Sequence, residues 1–316
     1  MKILVTGSSG FIGYNVTERL LDKGHTVFAP VRHESLDKVK DLHRFQDFKV
    51  LKGNFFDSDV INQLAEIPEF ILHFASIRGA GKDKEKNYYN VNVEGTRTLL
   101  NFAYRNNIKK IIYCSSVGVL GTIPKKLPAK PDDTPKPDGY YHKTKLESEK
   151  IVLARNNKDF KTCVLRPSIT YGPRDDGFVP KLIEMIRNSK FVLPASSVKI
   201  HLLSVKTFCD LIEILLKVDV WPGKTYHVAD REPLFLKDLV NEIRLLLGKD
   251  LKVYRAPGFL FQLGAFLFGL AGLQGLKTSI ELISKNWYYD IQKTISELNY
   301  KPSDTLMEIK GVIDAK

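Results

Sequence analysis

The first thirteen residues read Met1-Lys2-Ile3-Leu4-Val5-Thr6-Gly7-Ser8-Ser9-Gly10-Phe11-Ile12-Gly13, an apolar run that breaks into glycines at every third position. The run has the character of a buried strand, and the stretch after it, to about Lys23, has that of an amphipathic helix. A strand-to-helix turn written GxxGxxG answers three needs. The chain must turn sharply, its backbone must come close to a pyrophosphate, and the helix must lie tightly on the sheet. The phosphates then sit at the positive helix N-terminus. No GK[ST] follows, which disfavours a nucleotide triphosphatase.

Working outward, short β-branched runs alternate with helical stretches. Ile3 to Thr6, His25 to Val31, Phe48 to Gly53, Phe70 to Phe74, Lys110 to Ser115 and Lys161 to Leu165 are the expected strands. That alternation predicts an α/β fold, a Rossmann doubly wound parallel sheet with its ligand beyond the carboxyl ends of the strands. After about residue 167 the rhythm breaks at the turn-rich YGPRDDG. Helix is expected over Phe178 to Arg187, strand then helix over Ile200 to Val218, and a return to the sheet at Thr225 to Ala229. The expected division is a dinucleotide-binding domain over 1–167, rejoined at about 198–229, and a smaller, mostly helical substrate domain within 168–316.

Composition narrows the class. A chain of 316 residues with 43% hydrophobic and 27% charged residues is ordinary globular material. Its three cysteines, Cys114, Cys163 and Cys209, are widely separated and lack CxxC or Cys/His spacing. Neither a disulfide framework nor a metal site is expected, and the chain reads as one of a reducing cytoplasm. The strand-like start leaves no room for a secretory leader. A net charge of +12 is spread along the chain without a recognition motif, so no nucleic-acid partner is expected.

Ala256 to Leu276 carries no charge over 21 residues but holds glycines at 258, 264, 269, 272 and 275. Three readings stand: two short helices lining an apolar pocket, which is favoured, docking on a membrane surface, and a true span.

For the dinucleotide, the second strand ends Val27-Phe28-Ala29-Pro30-Val31-Arg32, with arginine where an acid would accept the ribose 2′-hydroxyl. A guanidinium can fork onto a 2′-phosphate, so NADP(H) is preferred, with NAD(H) open and an idle surface arginine as the alternative. Asn54 and Phe55, after the third strand, are candidates for the adenine edge.

Downstream, Ser116 follows the fifth strand, and Tyr141 and Lys145 stand four apart at a helix start, hence on one face. A phenol serves as a proton donor or acceptor near neutral pH only when something such as a nearby ammonium stabilises its anion. Ser116 can then hydrogen-bond a substrate oxygen.

With TGSSGFIG, HFAS at 73–76, NVEGT at 92–96, CSSVGVLG, YHKTK and LRPSITYGPR quoted, the chain resembles the extended short-chain dehydrogenases/reductases over essentially its whole length. That superfamily includes nucleotide-sugar epimerases, dihydroflavonol reductases and 3β-hydroxysteroid dehydrogenases. The resemblance implies Tyr141 as general acid/base, Lys145 on the nicotinamide ribose, Ser116 orienting the carbonyl and Asn92 bracing the site. It also implies Gly7, Gly10, Gly13 and the Phe11 and Ile12 amides at the pyrophosphate, Ala75 beside the adenosine ribose, and Pro167 to Ile169 against the carboxamide. A homodimer through the helices after the fourth and fifth strands is implied as well.

Two departures bear on substrate. Asn54 stands where the family usually has Asp, and IHLLSVKT lacks the arginine and histidine of many sugar epimerases, with Ser204 in the histidine's place. The expected activity is hydride transfer to or from a lipophilic ketone or alcohol. The alternatives are a nucleotide-sugar epimerase or dehydratase with retained NAD, and a non-catalytic cofactor sensor.

Overall fold

The computed structural model describes residues 1–78, 84–218, 221, 223–248 and 253–314. The chain forms two compact units. The first comprises Met1–Val119, Pro135–Pro167 and Cys209–Tyr226, the second Leu120–Thr134, Ser168–Phe208 and His227–Lys316.

The first unit is built on strands β1 (Lys2–Thr6), β2 (Thr26–Val31), β3 (Phe48–Lys52), β4 (Phe70–His73), β5 (Lys110–Cys114) and β6 (Lys161–Pro167). Their order is β6-β5-β4-β1-β2-β3, every pair parallel, and the strand Thr225–Val228 adds beside β6 to complete seven. Each strand lies within two residues of its expected place. The central strands are apolar on both faces because helices cover both: Ile3, Leu4, Val5, Ile71, Leu72, Ile111 and Ile112 are fully buried.

From β1 the chain winds outward through β2 and β3, then crosses back to lay β4 on the other side of β1. The crevice where winding reverses lies past the carboxyl ends of β1 and β4, and the glycine turn sits there. Helix α1 (Phe11–Asp22) follows directly, burying Gly13, Val16, Thr17, Leu20 and Leu21 at helical spacing.

A buried ion pair ties β6 to the helix Tyr140–Ala154. Arg166 donates from Nε and Nη2 to the two Glu149 carboxylate oxygens at 2.8 and 2.7 Å, with both side chains almost wholly excluded from solvent. Removing one partner strands the other charge in the interior. Glu149→Ala is expected to cost about 3 to 5 kcal/mol in a urea unfolding measurement. A loss below about 1 kcal/mol would mean that water reaches the guanidinium.

In the second unit, Ile169–Tyr171 pairs in parallel with Leu202–Ser204, helices Phe178–Arg187 and Leu236–Leu246 pack on each other, and Phe178 meets the fully buried Trp287 edge to face. Asp230 is its polar centre, accepting from Ser204 N (2.8 Å), Tyr171 Oη (2.9 Å) and Thr305 Oγ1 (2.6 Å). Residues Gly258–Leu270 and Gln274–Ser284 form two helices packed on each other. The expectation that this segment lines an apolar pocket is not met, because most of its large side chains are exposed. No helix among the described residues is long and apolar enough to cross a membrane.

Three buried groups couple stability to acid. Burial holds the His73 imidazole down at about 3 and the His201 imidazole at about 4, whereas burial pushes the Asp230 carboxyl up to about 6. Each histidine therefore contributes stability above its unfolded pKa of about 6.5, and that stability drains as pH falls. Asp230 opposes this, because its folded form gains its proton first. Between about pH 6 and 4 the unfolded chain holds about two protons on these groups to the folded chain's one. Stability is expected to fall by about 1.4 kcal/mol per pH unit, read as a shift of the urea midpoint. A flat profile across that window would show the two imidazoles to be hydrated.

Candidate active site

The glycine turn is packed against the chain leaving β4. Gly7 has φ +83°, and a Cβ there would stand 2.6 Å from Ala75 N. A Cβ on Gly13 would collide with the Gly7 carbonyl, while one on Gly10 would come no closer than 3.3 Å to the same oxygen. Gly10 N–H donates to Gly7 O (2.9 Å), and Gly10 then begins α1 with no side-chain cap and no acid in the first turn. The backbone donors of Phe11 and Ile12 thus open a helix that invites an anion. These residues fit a dinucleotide pyrophosphate.

Behind the turn runs a chain of buried hydrogen bonds whose proton order can be deduced. Thr96 Oγ1 gives its proton to Asn92 O (2.5 Å), so it accepts from His73 Nε2 at 2.9 Å. His73 Nδ1, left without a proton in the neutral ring, accepts from Thr6 Oγ1 at 2.6 Å, and Thr6 Oγ1 accepts from Ala75 N (3.3 Å). The histidine is therefore a neutral strut between β1 and the helical segment around Asn92. Asn92 continues the chain. Its amide oxygen accepts from Ile77 N (2.9 Å), and its amide nitrogen donates to Ile77 O (3.3 Å) and Thr144 Oγ1 (3.0 Å). Ser148 Oγ donates to Asn92 O (2.8 Å), so Asn92 holds two turns of the helix Tyr140–Ala154.

That helix carries Tyr141 and Lys145. Lys145 is 2% exposed and donates to Cys114 O at 2.6 Å. Its Nζ lies 4.7 Å from the Tyr113 ring and 6.0 Å from the Tyr141 ring. Burial alone would lower its pKa, but the Tyr113 and Tyr141 phenols outweigh burial and hold the ammonium at about 12. Lys145 is a permanent cation beside Tyr141. The Arg78 guanidinium also lies over the Tyr141 ring, 5.6 Å from its centre. Ser116, just past β5, accepts from Gly118 N at 3.1 Å and remains partly exposed.

The outer candidates are less uniform. Arg32, at the end of β2, is half exposed and pairs with Glu34 at 3.1 Å. Asn54 Nδ2 donates to Asp57 Oδ2 (3.0 Å). The Phe55 ring is buried in the core, 5.1 Å from the His73 ring, so only its backbone remains for a ligand. Pro167 ends β6, whereas Ile169 belongs to the second unit, where it opens the strand paired with Leu202–Ser204. The roles of Tyr113, Arg78, Thr144 and His73 were not read from the sequence. Two carried a signal: HFASIR places Arg78 just past a strand end, and Thr144 lies inside YHKTK. Among the described residues, no cluster of three or more His, Cys, Asp or Glu side chains could hold a metal ion.

Comparison with known proteins gives the chain's family and fold. A model of the NAD dependent epimerase/dehydratase family matches residues 3–229. The sterol-4-alpha-carboxylate 3-dehydrogenase, decarboxylating, of Mus musculus is 29% identical over 97% of this chain and 88% of its own. The 3 beta-hydroxysteroid dehydrogenase/Delta 5→4-isomerase of Mycobacterium tuberculosis is 28% identical over the same shares. Among solved structures, the UDP-glucuronic acid 4-epimerase of Bacillus cereus, in complex with NAD, shares the fold with a TM-score of 0.78, at 22% identity over 99% of this chain and 98% of that one.

Proposed function

Because the chain belongs to the NAD dependent epimerase/dehydratase family, we propose that it is an NADP(H)-preferring oxidoreductase that interconverts a hydroxyl and a ketone on a lipophilic molecule of the sterol or acyl-chain kind. The observation that carries the chemistry is the buried Lys145 ammonium, fixed by the Cys114 carbonyl one helical turn from Tyr141. A cation so placed stabilises a phenolate and makes the Tyr141 hydroxyl an exchangeable proton carrier.

In the direction of reduction, Tyr141 Oη gives its proton to the substrate oxygen as charge builds there, and Ser116 Oγ donates a second hydrogen bond that holds that oxygen. Lys145 keeps the resulting phenolate paired. The bound dinucleotide supplies the hydride, or accepts it in reverse. Gly7, Gly10, Gly13 and the Phe11 and Ile12 amides would hold its pyrophosphate, Ala75 its adenosine ribose, Asn54 and the Phe55 backbone its adenine, and Pro167 its carboxamide. Asn92 acts through Thr144 as a positioning residue. The lipophilic substrate is supported by the two sterol-directed relatives and by the absence of arginine from Lys199 to Val205, where nucleotide diphosphates would want a fork. We also infer a homodimer through the helices Gly95–Arg105 and Tyr140–Ala154, and a reducing cytoplasm in which Cys114, Cys163 and Cys209 stay as free thiols.

The test is a panel of hydroxysteroids, 3-oxoacyl compounds and nucleotide sugars assayed with NADPH or NADP. Turnover of a sterol or oxoacyl compound supports the reading. Turnover of a nucleotide sugar alone, without added cofactor, would replace it with the epimerase reading.

Arg32 sets the cofactor preference. Its exposed pairing with Glu34 is worth little and yields to a 2′-phosphate. Arg32→Ala is expected to weaken NADPH binding about tenfold, or about 1.4 kcal/mol, and leave NADH unchanged in a fluorescence titration. Equal affinity of the native chain for both dinucleotides would leave Arg32 as a partner of Glu34 and nothing more.

A further inference from the structure

The helix Gly258–Leu270 is built inside out for a protein in water. Two of its glycines face its partner helix: a Cβ on Gly264 would lie 3.3 Å from Ile280, and one on Gly269 would lie 3.4 Å from the Lys277 stem. Its large apolar residues face the other way. Phe259, Leu263, Phe266, Leu267 and Leu270 recur at helical spacing, and all are exposed, Phe266 by 61% and Leu270 by 72%. Leu273, in the turn, continues the patch. Only Ala265 of this helix is buried. An amphipathic helix of a water-soluble core does the reverse, turning its bulky apolar side inward. Small residues between helices and large ones outward is the arrangement that lipid surroundings select.

Charge identifies the surface that covers it. From Ala256 to Ile280 the chain has no acid, and its one cation, Lys277, runs its stem along Gly269. Arg255 and Tyr254, both exposed, stand at the base of the pair of helices. A cation with an aromatic ring beside an apolar wedge suits an anionic headgroup layer over acyl chains. A helix of 13 residues is about 20 Å long, against a hydrocarbon core of about 30 Å, so the pair lies in the interface and does not cross it.

We propose that the helices Gly258–Leu270 and Gln274–Ser284 dock this protein shallowly on an anionic membrane surface, burying the Phe259–Leu273 face among the lipid chains. The contact is reversible and independent of turnover, and it would bring a lipophilic substrate's own medium to the enzyme.

The experiment is flotation of the full chain with vesicles of phosphatidylcholine alone or with about 30% phosphatidylglycerol. Binding is expected to be at least about tenfold stronger to the anionic vesicles. A variant with Phe266→Glu, Leu267→Glu and Leu270→Glu should lose it while retaining native dinucleotide affinity, which shows that it folds. Equal flotation of this variant and the native chain would overturn the proposal. So would failure of the native chain to float with either vesicle. A native dimer that the variant dissociates, without vesicle binding, would assign the face to a second copy and overturn it as well.

Discussion

Replacing Tyr141 with phenylalanine is expected to lower turnover about 10²- to 10⁴-fold while leaving dinucleotide affinity within about twofold. The ring's contacts with Lys145 and Arg78 would remain, since phenylalanine keeps the ring. What is lost is the one proton that can be passed to a substrate oxygen. Lys145→Met should be more disruptive. It removes the cation from Tyr141 and leaves the Cys114 carbonyl without its donor, so both affinity and turnover fall. Because the ammonium is held at about 12, it stays charged through any ordinary assay, and a pH profile of the native chain should contain no inflection from it. Full activity of the phenylalanine variant would remove Tyr141 from the chemistry.

The second large effect separates the glycine turn's fold from its ligand. Gly10 has φ −91° and ψ 169°, a conformation open to any residue, and an alanine methyl there would stand 3.3 Å from the Gly7 carbonyl oxygen, close enough to need a small shift but no opening of the turn. Gly10→Ala should therefore unfold at nearly the native temperature. It places a methyl at the mouth of the α1 N-terminus, where two backbone donors would otherwise reach a pyrophosphate. Losing two charge-assisted bonds costs about 3 kcal/mol or more, so affinity should drop about 100-fold. Gly13→Ala drives its methyl into the Gly7 carbonyl, and the turn must open. That variant should lose stability as well as binding, read by thermal unfolding beside the same titration. If Gly10→Ala binds normally, the phosphates lie elsewhere.

The sheet was legible because its signals are local. A run such as Ile3-Leu4-Val5, short, apolar throughout and cut off by glycines, reads as a strand buried on both faces, and the GxxGxxG behind it marks the first strand-to-helix turn. The strand ends shifted where the last residue's hydrogen bond is decided by a neighbour: β6 runs on to Pro167 beside Thr225–Val228, which no local pattern encodes. The helix pair after Pro257 was visible as two glycine-broken apolar segments, but which face each glycine would take was not. Side-chain counting gives composition, and the packing of Gly264 on Ile280 gives direction. Phe55 shows the same limit, since its place after a strand end suggested a ligand contact while its apolar ring went to the core. The strut Thr6–His73–Thr96–Asn92 joins residues from three elements, and only the folded chain reveals that they share protons.

The most direct test of the central claim follows a deuterium label. A hydroxysteroid deuterated at its carbinol carbon is incubated with the protein and excess oxidised cofactor, and the free cofactor pool is then analysed by mass spectrometry. The account predicts deuterium on the nicotinamide of the exchangeable pool, in step with ketone formation, and none with Tyr141→Phe. Deuterium that stays with the organic substrate, in a protein that keeps its cofactor bound, would contradict it.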